Sequence, residues 1–196
     1  MRSFFLFISS VFFFHSAWAE KYNVDIQHSS VKFTVAHLVV SRVAGRFDKF
    51  DSSFDFDEKS QKLDNVVVTI QANSINTNEP DRDKDLRSSN FLDAAKFPVL
   101  TFKSTKTVYE NAKPKKLEGQ LTIHGVTKPV TLNIEYRGAV TDPWGNRRLA
   151  FDADTKIDRK DFGLVWNKAL ETGGVLVGDE VKIEIDGEAM AASKKK

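Results

Sequence analysis

The side chains best able to do chemistry are few, and their spacing suits none of the usual chemistries. Of four histidines, His28, His37 and His124 lie beyond the N-terminal apolar stretch, and no two stand at His-x-His or His-x₃-His spacing. Metal sites built on one strand or helix turn need such spacing, so a histidine metal centre is not expected. His28-Ser29-Ser30 sets a base beside hydroxyls, but neighbouring strand residues point to opposite faces, so His28 cannot simply activate Ser29. No G-x-S-x-G elbow is present. The chain has no cysteine, which removes disulfides, thiol catalysis and cysteine-held metal. Arg82-Asp83 and Arg159-x-Asp161 read as structural ion pairs that pin irregular segments. No catalytic residue, metal or cofactor is therefore expected.

The elements around these residues begin with a leader. Met1-Arg2 is followed by an apolar run from Phe4 to Phe14, broken by Ser9 and Ser10, and then by Ala17-Trp18-Ala19. A basic tip, a short apolar stretch and an A-x-A cut describe a secretory signal over residues 1–19, cleaved between Ala19 and Glu20. The run is well short of the ~20 residues of a spanning helix. Residues 20–196 then form one exported domain, large enough to hold itself together by burial. A Gram-negative periplasm fits export without disulfides. With 29 basic and 27 acidic residues, the chain has no nucleic-acid signature. The tail 193–196, ending in Lys194-Lys195-Lys196, reads as a disordered, solvated end, with weak contact to an anionic membrane surface as the sharper reading. Nothing in the sequence sets the oligomeric state, a homodimer included.

Period-two alternation dominates the domain. Val31, Phe33 and Val35 alternate with Lys32 and Thr34; Leu117, Gly119, Leu121 and Ile123 alternate with Glu118, Gln120 and Thr122; Val181, Ile183 and Ile185 alternate with Lys182, Glu184 and Asp186. Each such strand has one apolar and one wet face, as in an antiparallel sheet closed on itself. Eight strands are expected near 30–38, 44–57, 63–72, 98–109, 115–124, 129–140, 147–158 and 178–190. Turn clusters fall between them, among them Asn111-Ala112-Lys113-Pro114, Gly125 to Pro129 and Asp142-Pro143-Trp144-Gly145-Asn146. Long strands on mostly short connections favour an up-and-down barrel. The fold class is all-β: an extended eight-stranded antiparallel barrel with a short helical excursion near 78–90, in which Asn78 caps, Pro80 opens the first turn and Leu86 supplies the buried side. A second excursion, Asp161 to Gly178, is too apolar for a plain loop and is expected over a barrel opening. Gly173, Gly174 and Gly178 serve there as turn residues or as lid hinges.

The motifs, taken in order, carry a family resemblance. Tyr22-x-x-Asp25-x-x-His28-Ser29-x-Val31-x-Phe33-x-Val35-x-His37 comes first, then Gly45-x-Phe47-x-x-Phe50 and Ser74-Ile75-x-Thr77. Arg82-Asp83-x-Asp85-Leu86-x-Ser88-x-Asn90-Phe91-Leu92-Asp93, Phe97-Pro98 and Phe102-x-Ser104 follow. Leu121-Thr122-Ile123-His124-Gly125-Val126-Thr127-Lys128-Pro129-Val130, Arg159-x-Asp161-Phe162-Gly163 and Gly178-Asp179-x-Val181 close the series. In this order and spacing the chain resembles the YceI-like family, described as polyisoprenoid-binding and lipocalin-like. The segment with Asp85, Asn90 and Leu92 departs from the family's usual His, Asp and Phe. The resemblance implies an elongated apolar cavity that holds a long isoprenoid or fatty chain, and binding or carriage rather than turnover.

By parity, Phe33, Phe47, Phe102, Leu121, Ile123 and Phe151 point inward, as do Val35 and His37. Phe91, Phe162 and Leu164 join them from the two excursions, and Gly119 marks a place where a chain passes close or the barrel bends. Eight strands enclose an interior that is either just filled or able to hold one small ligand. Three functions follow: a carrier of a prenyl or fatty chain, such as a quinone tail; an enzyme acting on such a chain; or a packed barrel serving as a stress or interaction module.

Overall fold

The computed structural model describes residues 19–38, 40–170 and 173–192. The leader segment 1–18 and the lysine tail 193–196 lie outside the described residues.

Alternation is realised as strands almost throughout. In chain order they are β1 (Glu20–Val24), β2 (Ser30–His37), β3 (Ser41–Phe47), β4 (Phe50–Asp57), β5 (Lys62–Gln71), β6 (Ile75–Asn76), β7 (Val99–Glu110), β8 (Lys113–Ile123), β9 (Val126–Thr141), β10 (Arg147–Asp158) and β11 (Val177–Ala191). One helix, α1 (Pro80–Arg87), lies between β6 and β7. All pairings are antiparallel, and β1, β4, β5, β7, β8, β9, β10 and β11 close a ring through the β1–β11 contact.

Two ring positions are filled by strands in series. β1 pairs with the end of β11, Ala189–Ala191, whereas β2 pairs with Val177–Asp186 of the same strand. On their other side, β1 meets β4 and β2 meets β3. The single strand expected over 44–57 is thus two, bent at Asp48-Lys49, where Ser74 receives both amides: Asp48 N donates to its carbonyl at 3.0 Å and Lys49 N to its hydroxyl at 3.0 Å. The barrel keeps eight positions, and β1 and the two-residue β6 were too short to show a period.

The break between β1 and β2 is the one interruption in the described wall, and it is stitched from outside. Ser29 Oγ accepts from Glu188 N at 2.9 Å, and Asp25 N donates to Glu188 O at 2.8 Å. Arg148 reaches across to Asp25 (2.7 Å), Asp142 (2.9 Å) and Glu188 (2.5 Å). Arg148, with His28 as the lesser partner, holds the Asp25 carboxyl at about 2, below its usual range.

The turns sit slightly earlier than their residue clusters suggest. The β7–β8 hairpin turns on Asn111-Ala112, with φ of 49° and 61°, and the β8–β9 hairpin on His124-Gly125, with φ of 52° and 74°. Paired positive φ is the two-residue geometry that matches strand twist. Pro129 therefore lies inside β9, at a level where only β8 flanks that strand. The helix is capped by Glu79 rather than Asn78. Its carboxylate accepts from Asp81 N (3.3 Å) and Arg82 N (2.5 Å), because Pro80 takes the first helical position and leaves the residue before it as the cap.

Candidate ligand-binding cavity

The inward faces of the strands produce two different interiors. At the end that carries the 57–62, 110–113 and 141–147 turns, five rings meet across the lumen. Tyr22 stacks on Phe54 at 5.7 Å between centroids, and Phe151 stands edge-on to Phe54 (5.5 Å) and Phe56 (5.3 Å). Tyr136 closes the group at 5.0 Å from both Phe56 and Phe151. Leu117, Leu149 and Pro114 are fully buried beside them. Below the rings, Glu58 pairs with Arg147 and accepts from Tyr22 Oη at 3.1 Å. Burial and this carboxylate push the Tyr22 phenol up, while Arg147 draws the Glu58 carboxyl down.

Towards the other end the side chains stop short of one another. A chamber of about 180 Å³ opens between Phe33, Phe47, Val68, Ile70, Phe102, Leu121, Ile123, Val130, Ile157, Val181 and Ile183. A second space of about 110 Å³ continues towards the ring cluster, past Phe50, Val66, Ile134 and Ala153. Val31, Val68, Leu132 and Ile185 line both and form a waist between them. The exposed surface of the upper chamber is wholly apolar. An apolar cavity of about 150 Å³ stays dry and accepts a hydrocarbon ligand. The two spaces in line therefore suit a narrow apolar ligand.

Three polar residues stand at the chamber wall, and all are committed: Lys32 carries its ammonium out to Asp186 at 2.8 Å. Thr155 is buried and donates to Thr131 O at 2.8 Å. Arg159, only 4% exposed, spends its guanidinium on protein partners. It donates to Gly178 O (2.9 Å), Trp166 O (2.9 Å), Leu164 O and Asp179 Oδ1 (3.2 Å). Arg159 thus pins the 163–178 excursion over the opening, as expected of its segment. Its partners are carbonyls and Asp179, however, and not the exposed Asp161. Arg82 and Asp83 likewise do not pair with each other. Both converge on Thr77, whose Oγ1 accepts from Arg82 Nε (2.8 Å) and donates to Asp83 (2.6 Å), which ties α1 to the strand before it.

The two excursions form the roof. Leu86, Phe91 and Leu92 come from the first, and Leu164 and Val177 from the second. They meet where the Phe91 and Trp166 rings lie 5.1 Å apart.

Of the residues singled out by parity and motif, Phe33, Val35, Phe47, Phe91, Phe102, Leu121, Ile123 and Leu164 line the upper chamber. Phe151 lines the lower space and belongs to the ring cluster. Three lie elsewhere. His37 ends β2, half-buried, and does not line the chamber although its register partner Val177 does. Phe162 is 2% exposed and packs in the core below the roof rather than lining the space. Gly119 contributes no surface to either space: a Cβ there would meet Phe102 Cζ at 2.4 Å and Lys103 O at 2.6 Å. It is the seat of the Phe102 ring. The lining residues not singled out, such as Val68, Ile70, Leu100, Val130 and Ile183, sit on the same alternating faces and were open to the same parity argument.

A closed antiparallel barrel of eight positions around an apolar, roofed cavity defines the lipocalin-like class of binding folds. Within that class the YceI-like domain family matches residues 22–189, and the chain belongs to this family. Protein YceI of Salmonella agona (strain SL483) is 46% identical over 162 residues, covering 82% of this chain and 84% of that protein. A YCEI protein from Campylobacter jejuni is 31% identical, with a TM-score of 0.70 over 81% of this chain and 90% of its own. A polyisoprenoid-binding domain from Saccharophagus degradans, 15% identical, shares the fold with a TM-score of 0.62 over 87% of this chain and 98% of its own.

Proposed function

We propose that this protein binds and carries a long-chain apolar ligand, a polyisoprenoid, a quinone tail or a fatty chain, inside the barrel, in the cell envelope after export. The observation that carries the reading is the run of two apolar spaces, about 180 and 110 Å³, held open between side chains rather than filled by them. Each methylene moved there from water contributes ~0.8 kcal/mol, so a chain of some ten carbons has enough driving force without a polar contact. The polyisoprenoid-binding description of the Saccharophagus degradans domain points the same way. Carriage is favoured over turnover because the polar residues at the wall, Lys32, Thr155 and Arg159, are engaged with backbone or with carboxylates. Export rests on the composition of residues 1–19.

Native mass spectrometry of protein purified from the envelope tests this. A lipid-mass adduct that leaves on organic extraction and reloads with a prenyl alcohol is the expected result. Protein that is empty as purified and takes up no long chain would sink the proposal, and chemical conversion of the added chain would replace it with an enzyme.

A further inference from the structure

We infer that the roofed end of the barrel docks on a lipid bilayer through two apolar loop tips, so that the chain passes between bilayer and cavity without crossing water. The inference deepens the carrier reading and rests on it.

Among the described residues, one route for a ligand stands out. The wall is hydrogen-bonded around the ring, its one break is bridged by Ser29, Asp25 and Arg148, and the far end is closed by the five rings. Among the described residues, the roof is where two separate non-sheet segments meet over the chamber, Phe91 against Trp166.

Beside that roof stand two tips whose composition is wrong for turns. The β2–β3 turn carries Leu38 and Val40, where Gly, Asn or Asp is the rule. Val40 is 88% exposed. Leu38 is exposed and holds φ of +53°, a conformation costly to a branched aliphatic residue. The second tip is in the roof excursion, where Val165 is 65% exposed and Val175 is also exposed. The tips are neighbours: Leu38 N donates to Leu176 O at 2.9 Å, and His37 is in register with Val177. Arg42 and Lys168, both exposed, flank them.

The occupant follows from continuity with the cavity. Leu164 and Val177 face the chamber, while Val165 and Val175, one and two residues away, face out. The chamber lining therefore runs over its lip onto the outer tips. A chain leaving the barrel meets apolar surface, and basic groups stand where lipid headgroups would lie. Clustered exposed aliphatics on strained turns cost stability and solubility unless something covers them. A bilayer surface supplies both the cover and the source of the ligand.

The test is flotation of envelope-purified protein with vesicles of phosphatidylcholine containing a minor share of phosphatidylglycerol. Val40→Asp/Val165→Asp alters two outward side chains and leaves the chamber lining intact. The parent protein floats, and the double variant loses vesicle affinity by at least about tenfold, since both valines forfeit their apolar burial. Supplied with farnesol from solution, the variant takes it up as well as the parent does. A third form lacking Lys194-Lys195-Lys196 still floats. Failure of the parent to float, undiminished flotation of the double variant, or flotation that depends only on the tail would each overturn the inference. Failure of the parent to take up farnesol would instead strike the carrier reading, independently of the flotation result.

Discussion

The two ends of the barrel are made of the same alternating strands and have opposite interiors. At one end Tyr22, Phe54, Phe56, Tyr136 and Phe151 meet in the middle and close the lumen. At the other, Ile70, Leu121, Ile123 and Val181 point inward just as regularly but leave a chamber. Alternation supplies an apolar lumen in both places. What differs is reach: several large rings on facing strands touch at one end, whereas aliphatic side chains mostly face each other at the other. The closed end supplies rigidity, and the open end accepts the packing deficit that a binding cavity requires.

If that division of labour holds, truncations at the two ends behave differently. The largest effect belongs to the closed end, where Phe56→Ala should cost about 3–5 kcal/mol, read by urea denaturation, with ligand uptake retained in the folded fraction. Leu100→Ala in the chamber should cost nearer 2 kcal/mol, because part of its surroundings is already empty. Equal losses would erase the comparison.

The roof comes next. Arg159→Met leaves the carbonyls of Leu164, Trp166 and Gly178 without their donor, at a cost of about 2–3 kcal/mol. It should also speed ligand exchange in stopped-flow measurements, since the 163–178 segment loses its clamp. Unchanged exchange would separate the roof from the entry route.

A third substitution tests continuity. Val68 lines both spaces, so Val68→Trp should block the waist at an overpacking cost of about 1–3 kcal/mol. Short prenyl alcohols would still bind, and long ones would weaken by at least about tenfold, about 1.4 kcal/mol or more. Equal affinity for both lengths would confine the ligand to the upper chamber.

The smallest effect is electrostatic and lies on the outer wall. The Asp25 carboxyl, held at about 2 by Arg148 and then His28, titrates below its unfolded value of 3.8. A depressed carboxylate stabilises the fold above the unfolded value, and that contribution fades as pH falls through the folded one. The protein should therefore lose stability between roughly pH 4 and pH 2. Arg148→Met should be less stable at neutral pH and show a shallower loss across that window by circular dichroism.

Most of the wall was legible in the sequence because it obeys a local rule. A period of two assigns Phe33, Phe102, Leu121 and Ile123 to the lumen with no knowledge of their neighbours, and all four line the chamber. Where the rule lacked residues to act on, it went silent: β1 is five residues long and β6 two. Parity alone does not decide which inward residues reach the cavity: His37, at the end of β2, lines neither space, and Gly119 faces inward but is covered by Phe102.

By itself, then, the sequence determined the barrel: which residues face in, where most turns fall, and that the apolar excursion 161–178 must cover something. Whether the lumen was full or hollow was decided only in three dimensions. That outcome depends on which side chains of distant strands confront each other across the ring, and on whether they touch, a distance no periodicity encodes. The partners of Arg159 were settled the same way, because carbonyls brought together by the closing excursion carry no signature in the chain.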